Sequence, residues 1–356
     1  MARILFINNS YPTPAFPAAG TYARTMAEEM EQAGHTVDVE ALRPSGNGAL
    51  HKIRDYASFW KRLLSRKLGG YDLLYVNHFT YSFPLFLNPT LRKNAAKVII
   101  HWHGKELVST SKFNAMMVQA LDRSLRDFRH VAPSEYFKNK ILAATALDPS
   151  QIIVSPSGGV DISLFRPRSD GKAEEAFILG FPGGIITTKG ADVLLGVMQA
   201  HRRLERATGR PVKFRIIHYG AEFDVYLPRF RASGAELEIM PKMSKEQMPD
   251  FYSGLSVALT LSSAVIGESL GLVSLEAMGC GVPVIAHDIC AYPEFVIPGR
   301  SGELATYSPD PAERTAGVLD AIERIAANPS SYAPREIIEQ GYSRESVVDF
   351  YRNALL

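Results

Sequence analysis

The sequence predicts an α/β protein of two doubly wound domains, and three observations carry that prediction. Short β-rich apolar runs alternate with longer helical patterns over residues 1–166 and again over 173–340, which is how a parallel sheet with crossover helices reads. A polar, Pro- and Gly-containing stretch, RPRSDGK, separates the two series and has the composition of a linker. At 356 residues and 46% apolar content the chain is long enough for two cores.

In the first series the expected strands are ARILFINN, HTVDVEAL, DLLYVNHF, KVIIHWHG and HVAPS. Between the first two, Tyr22 to Ala33 has helical spacing and closes at Gly34, a suitable C-terminal stop. The second series restarts with AFILGFPGG, FRIIHYG, LEIMPK, SVALTLSS and PVIAH, with helices expected over 191–206, 245–253, 274–278 and 311–327. The closing segment, residues 341–356, carries Val347, Phe350, Tyr351 and Leu355 as a packing stripe. Domains of this kind hold ligands at the carboxyl ends of their strands, here expected in a central cleft that the two domains face.

Composition excludes several classes. Cys280 and Cys290 are the only cysteines, too few for a disulfide framework or a zinc site. The opening MARILFINNSYP reads as a strand and not as a signal, and no apolar run approaches the roughly 18 residues of a membrane span, so a cytoplasmic location is expected. Residues 1–165 carry 19 Lys+Arg against 13 Asp+Glu and the remainder 20 against 24, so an anionic partner would find the first half. Neither imbalance implies nucleic acid. A nicotinamide dehydrogenase is disfavoured because NNSYPTPAFPAAG, and no G-x-G-x-x-G, follows the first strand.

The stretch GESLGLVSLEAMGCGVPVIA, from Gly267, places Glu268 and Glu276 eight positions apart across a turn that leads into a helix. Gly271, Leu272 and Val273 can direct free N–H groups at a phosphate, because the first turn of a helix has unpaired donors and a positive dipole end. Glu276 can chelate a vicinal diol with its two acceptor oxygens, and Glu268 can meet a second polyol. A phosphate between two polyols describes a nucleotide sugar.

Four further motifs follow in order: SGGVDISLFRP, TKGADVLL, EAMGCGVPVIA and YPEFVIPGRSGEL. Together with the Glu pair they resemble the retaining glycosyltransferases of the E-x7-E family (family 4 type), which have the GT-B architecture of two Rossmann-like domains. The resemblance runs from Arg3 to about Leu355. It implies an N-terminal acceptor-binding domain over 1–166, a C-terminal nucleotide-sugar-binding domain over 173–340, and a last helix over 341–356 that crosses back to the first. Position by position, Glu268 is similar to the residue that holds the donor hexose. Gly271, Leu272 and Val273 resemble the diphosphate cradle, and Glu276 the ribose ligand. His103 matches the histidine beside the donor sugar. His101 is read as a satisfied structural histidine on the opposite face of the strand. Gly20 falls in the family's glycine-rich loop, and backbone groups at Lys242 and Met243 are expected near the base.

Lys189 resembles the phosphate-binding lysine, but the arginine expected five positions earlier is replaced by Gly184. Backbone N–H groups of Gly183 and Gly184, and the hydroxyls of Thr187 and Thr188, are the expected substitutes. No Asp-x-Asp occurs, so no metal is expected to be required and no cofactor beyond the nucleoside diphosphate sugar as co-substrate. The implied catalytic residues are therefore His103, Lys189 and Glu268, with His78 and Glu106 facing the acceptor.

The resemblance implies a metal-independent, retaining hexosyltransferase acting on an acceptor hydroxyl in polysaccharide, cell-envelope or glycolipid assembly. A non-catalytic or weakly active sugar-nucleotide-binding protein and a sugar-nucleotide epimerase are the alternatives. Residues 51–68 place Ile53, Tyr56, Trp60, Leu63 and Leu64 at helical spacing among six Lys and Arg. That stripe either packs on the first sheet or lies peripherally on an anionic membrane, where an acceptor sugar or lipid-linked glycan would be met.

Overall fold

A computed structural model describes residues 1–16, 19–91, 93, 97–108, 111–168, 175–264 and 267–355. It contains two compact units, one of Met1–Gly159 with Arg344–Leu356 and one of Val160–Ser343.

The first unit holds β1 (Arg3–Asn8), β2 (Thr36–Ala41), β3 (Leu73–Asn77), β4 (Val98–His101), β5 (Arg129–Ala132) and β6 (Ile152–Val154). They form one sheet in the order β2-β1-β3-β4-β5-β6, parallel throughout. Strands covered on both faces read as continuous apolar runs, and Ile4, Leu5, Phe6 and Ile7 of β1 are all fully buried. Leu5 and Ile7 face Phe59 and Leu63 of the helix Ala49–Ser65. Ile4 and Phe6 face Met26 and Met30 of the helix Thr21–Gln32, together with Val347 and Tyr351 of the helix Arg344–Ala354. His35 Nε2 lies 3.0 Å from the Tyr351 carbonyl, and the rings of Tyr75 and Tyr351 meet edge to face.

The second unit holds β7 (Phe177–Phe181), β8 (Val212–Ile217), β9 (Glu236–Met240), β10 (Val257–Thr260), β11 (Val284–His287) and β12 (Gly302–Ala305). Their order is β12-β11-β10-β7-β8-β9, again all parallel. The direction of winding reverses between β1 and β3 in the first sheet and between β7 and β10 in the second. Loops diverge at such a reversal and leave open space at the strand ends.

Each sheet has one strand more than the periodicity predicts. β6 is only three residues long, and β12 begins at Gly302, where a Cβ would lie 2.0 Å from the Val284 carbonyl oxygen. The expected helix 191–206 is two helices, Ala191–Gln199 and His201–Thr208. His201 Nδ1 lies 3.0 Å from the Met198 carbonyl, taking the acceptor that a continuous helix would offer to Arg202. The units divide at Val160 and not at residue 166, because Val160 N–H donates to the Tyr342 carbonyl at 2.8 Å and Arg335 binds the Ile162 and Phe165 carbonyls. The last helix begins at Arg344, later than residue 341. Most of the expected linker, residues 169–172, lies outside the described residues.

Candidate functional site

In the second unit the site is built at the reversal between β7 and β10. The turn Thr187–Lys189 is tied to the end of β10 by the Ser263 N–H, which donates to the Thr188 carbonyl at 2.9 Å. Gly190 makes this approach possible: its φ is +92°, and a Cβ there would lie 2.4 Å from the Leu261 carbonyl oxygen. The result brings the Lys189 ammonium onto Glu268 Oε1, which Ser262 Oγ also approaches at 3.4 Å. Burial lowers the Lys189 pKa, while neighbouring Cys290 acts the other way.

Glu268 precedes the helix Leu272–Gly279. Gly271 caps that helix at φ +83° and offers no side chain to the first-turn donors; the Ser274 N–H, at 3.0 Å from the Gly271 carbonyl, is the first to bond within the turn. Leu272 and Val273 are exposed while Ser274, Leu275, Ala277 and Met278 are buried, so the helix starts at the surface and runs into the core. Donors left over at such a start suit an anion. Glu276 follows on the next turn. Burial pushes its carboxyl up to about 7, against the opposing charge of Lys245 and the Tyr252 hydroxyl. Tyr252 Oη donates to the Val273 carbonyl at 3.2 Å and reaches Glu276 Oε2 at 3.5 Å.

Beside these, the turn after β7 carries Gly183 and Gly184, neither of which takes a positive φ. An anion nest needs successive residues of alternating handedness, so these two glycines do not form the expected nest. Nor is Thr187 free to replace the missing guanidinium, since its N–H and hydroxyl both donate to Glu222 Oε2, at 3.0 and 2.6 Å. Tyr219 and Lys242 follow β8 and β9, with Met243 beside them. Of these, the aromatic at 219 was not expected; only its place at a strand end could have marked it.

The first unit gathers a second cluster at the ends of β1, β3 and β4. Gly20 starts the helix Thr21–Gln32 at φ +64°, where a Cβ would lie 2.5 Å from the Ser10 carbonyl oxygen. Two residues on, Tyr22 Oη donates to Asn8 Oδ1 at 3.0 Å, and the ring packs on His78 and His103. His103 Nε2 donates to Asn77 Oδ1 at 2.6 Å, and the His103 N–H donates to Glu106 Oε2 at 3.2 Å. His78, at φ +46°, places Nδ1 3.1 Å from Glu106 Oε1 and stacks on His103. Burial pushes the His103 pKa well down, with His101 and His78 adding to it, so the ring is neutral at pH 7. For Glu106, burial acts upward but is outweighed by the hydrogen bond and charge of His78 and by backbone N–H groups, which hold the carboxyl below its usual range.

His101 corrects one expectation. It stacks on His103, with ring centroids 4.3 Å apart, because residues two apart on a strand share a face. Both its nitrogens are bonded, Nδ1 with Tyr75 Oη at 2.7 Å and Nε2 with Ser157 Oγ at 2.8 Å. Tyr22 and Asn8, which complete the cluster, carried no signal beyond their nearness to Gly20 and to the end of β1.

Two parallel six-stranded sheets with these polar clusters at their strand ends define a doubly wound α/β protein of two Rossmann-like units. The profile of the family described as glycosyl transferases group 1 matches residues 165–344, and the chain belongs to that family. Among its relatives is a D-inositol 3-phosphate glycosyltransferase of Actinosynnema mirum, 29% identical over 217 residues that make up 56% of this chain and 49% of that protein. The chain thus spans about half the length of the relatives it matches. In fold it is similar to a sucrose-phosphate synthase of Thermosynechococcus elongatus, with a TM-score of 0.72 at 19% identity over 98% of this chain and 96% of the other. It is also similar to HepE of Anabaena in complex with UDP-glucose, with a TM-score of 0.70 at 17% identity over 100% and 99% of the two chains. The architecture is GT-B.

Proposed function

We propose that this chain transfers a hexose from a nucleoside diphosphate sugar to an acceptor hydroxyl, with retention at the anomeric carbon and without a metal. The observation that carries this reading is the β10 end of the second unit, where Lys189, Glu268, an uncapped helix start and Glu276 stand in series. The ammonium and the helix start suit a diphosphate, and the two carboxylates suit the sugars on either side of it. HepE, similar in fold, was solved with UDP-glucose bound. In the reaction the acceptor oxygen bonds to the anomeric carbon as that carbon's bond to the diphosphate oxygen breaks. The electron pair leaves with the diphosphate, and one of its oxygens takes the hydroxyl proton. Glu268 holds the hexose, Glu276 the ribose and Lys189 the departing charge, with backbone at Lys242 and Met243 near the base. In this reading His103 serves the hexose, Gly20 belongs to the donor-binding set through the backbone of its loop, and His78 with Glu106 serves the acceptor.

Thermal-shift titration with uridine, guanosine, adenosine and thymidine diphosphates tests donor binding, and release of the free diphosphate with and without acceptor tests transfer. Binding without release under any acceptor would favour the second reading, a sugar-nucleotide-binding protein, for which Gly184 speaks.

A peripheral membrane location belongs to the same proposal. The helix Ala49–Ser65 buries Phe59 and Leu63 and half-buries Tyr56 and Trp60, so part of the expected stripe packs on the sheet. Leu50 (82% exposed), Ile53 (66%) and Leu64 (43%) remain outside. Arg62 and Arg66 are paired with Glu40, while Lys52, Lys61 and Lys67 make no ion pair among the described residues. No helix among those residues is long and apolar enough to cross a membrane. Flotation with anionic liposomes tests this part: binding that survives replacement of the three exposed apolar residues by Ser removes the helix from the account.

A further inference from the structure

The side chain missing at position 184 leaves a question that the neighbouring strands answer. Nothing in the backbone demands glycine there, since φ lies outside the left-handed region. What stands in the way of a side chain is Tyr219, whose Cδ1 and Cε1 would both lie 3.1 Å from a Cβ at 184. Tyr219 follows β8, the sheet neighbour of β7, and its carbonyl accepts the Ile185 N–H at 2.7 Å, which pins the two turns together. The ring is 54% exposed, so it serves no core. Above it stands Lys242, from the end of β9, with Nζ 5.3 Å from the ring centroid. An aromatic face steadies an ammonium without neutralising it, and leaves the N–H donors turned away from the ring available to phosphate oxygens. Lys242 makes no ion pair with a carboxylate among the described residues.

We infer that Lys242, seated on the Tyr219 ring, supplies the diphosphate-binding cation in place of a side chain at position 184. This rests on the donor reading above and assigns Lys242 a role through its side chain, distinct from backbone contact with a base. A charge on a stem anchored by an aromatic from the next strand does the work of an arginine on the first.

Calorimetric titration with uridine, guanosine, adenosine and thymidine diphosphates, and with the parent nucleoside of whichever binds, tests it. Lys242→Gln is expected to weaken diphosphate binding about tenfold or more, the loss of a charge-assisted hydrogen bond, and to leave nucleoside binding unchanged. Tyr219→Phe keeps the ring and should bind as the wild type does. A Lys242→Gln protein that keeps wild-type diphosphate affinity, or that loses the nucleoside to the same degree, overturns the inference while leaving the donor site standing. If the wild type binds none of the four diphosphates, the donor reading itself falls and this inference with it.

Discussion

Replacing Glu276 by Gln separates what burial does to this carboxyl from what the carboxyl does for a ligand. In the folded protein burial pushes it up to about 7, against an ordinary 4.5. The folded chain therefore keeps a proton between those values that the unfolded chain has released, and stability falls as pH rises across that window. At about 1.36 kcal/mol per pH unit the wild type loses up to about 3 kcal/mol from this group between pH 4.5 and 7, and the glutamine variant loses none of it. Urea unfolding of both proteins at pH 5, 6, 7 and 8 should show the variant gaining on the wild type as pH rises, then running parallel. Ligand affinity should behave oppositely. Only the ionised carboxylate offers acceptors on both oxygens to a ribose diol, so wild-type affinity for a nucleoside diphosphate should be about tenfold weaker at pH 6 than at pH 8. The variant should bind weakly and without that slope. Unfolding curves that differ by the same amount at every pH would mean that the carboxyl is not held protonated, and the reasoning would fail.

Lys189→Ala should lower kcat by about 10² to 10³ with a smaller effect on KM, as loss of charge stabilisation at a leaving group does; steady-state kinetics with a matched acceptor reads both. Gly190→Ala forces a Cβ to within 2.4 Å of the Leu261 carbonyl at φ +92°, and should cost about 2 kcal/mol or more in a urea titration while displacing Lys189. Tyr351→Ala empties a fully buried ring site against Tyr75 and should cost about 3 to 5 kcal/mol, read by hydrogen exchange at β1 and β3.

Much of this molecule is written in the chain. Ten of twelve strands are legible because parallel strands buried on both faces are continuous apolar runs, as in Ile4 to Ile7. β12 escaped because Gly302 and Glu303 lack the β-branched signature, and β6 because three residues make no period. Lys189 and Glu268 are legible as separate motif positions, but their pairing across 79 residues exists only once Gly190 lets two turns touch. The break at Ala200 depends on one imidazole reaching one carbonyl. Tyr22 and Tyr219 were silent because an aromatic acquires meaning from the ring or glycine it covers, and no spacing rule encodes that. The stacking of His101 on His103 was misread, since the two were expected on opposite faces although positions two apart along an extended chain share one.

The helix Arg344–Ala354 completes the face of the first sheet that contains Ile4, Phe6 and Tyr75, yet all of Val160–Ser343 intervenes. On the ribosome, the first sheet would wait for its last cover through some 180 residues of elongation, roughly 10 to 40 s at ordinary speeds. Through that interval an apolar strip along β1 and β3 is left for a chaperone to shield. Truncation just before Arg344 would turn this delay into a permanent condition, with aggregation of the first unit as the outcome to look for.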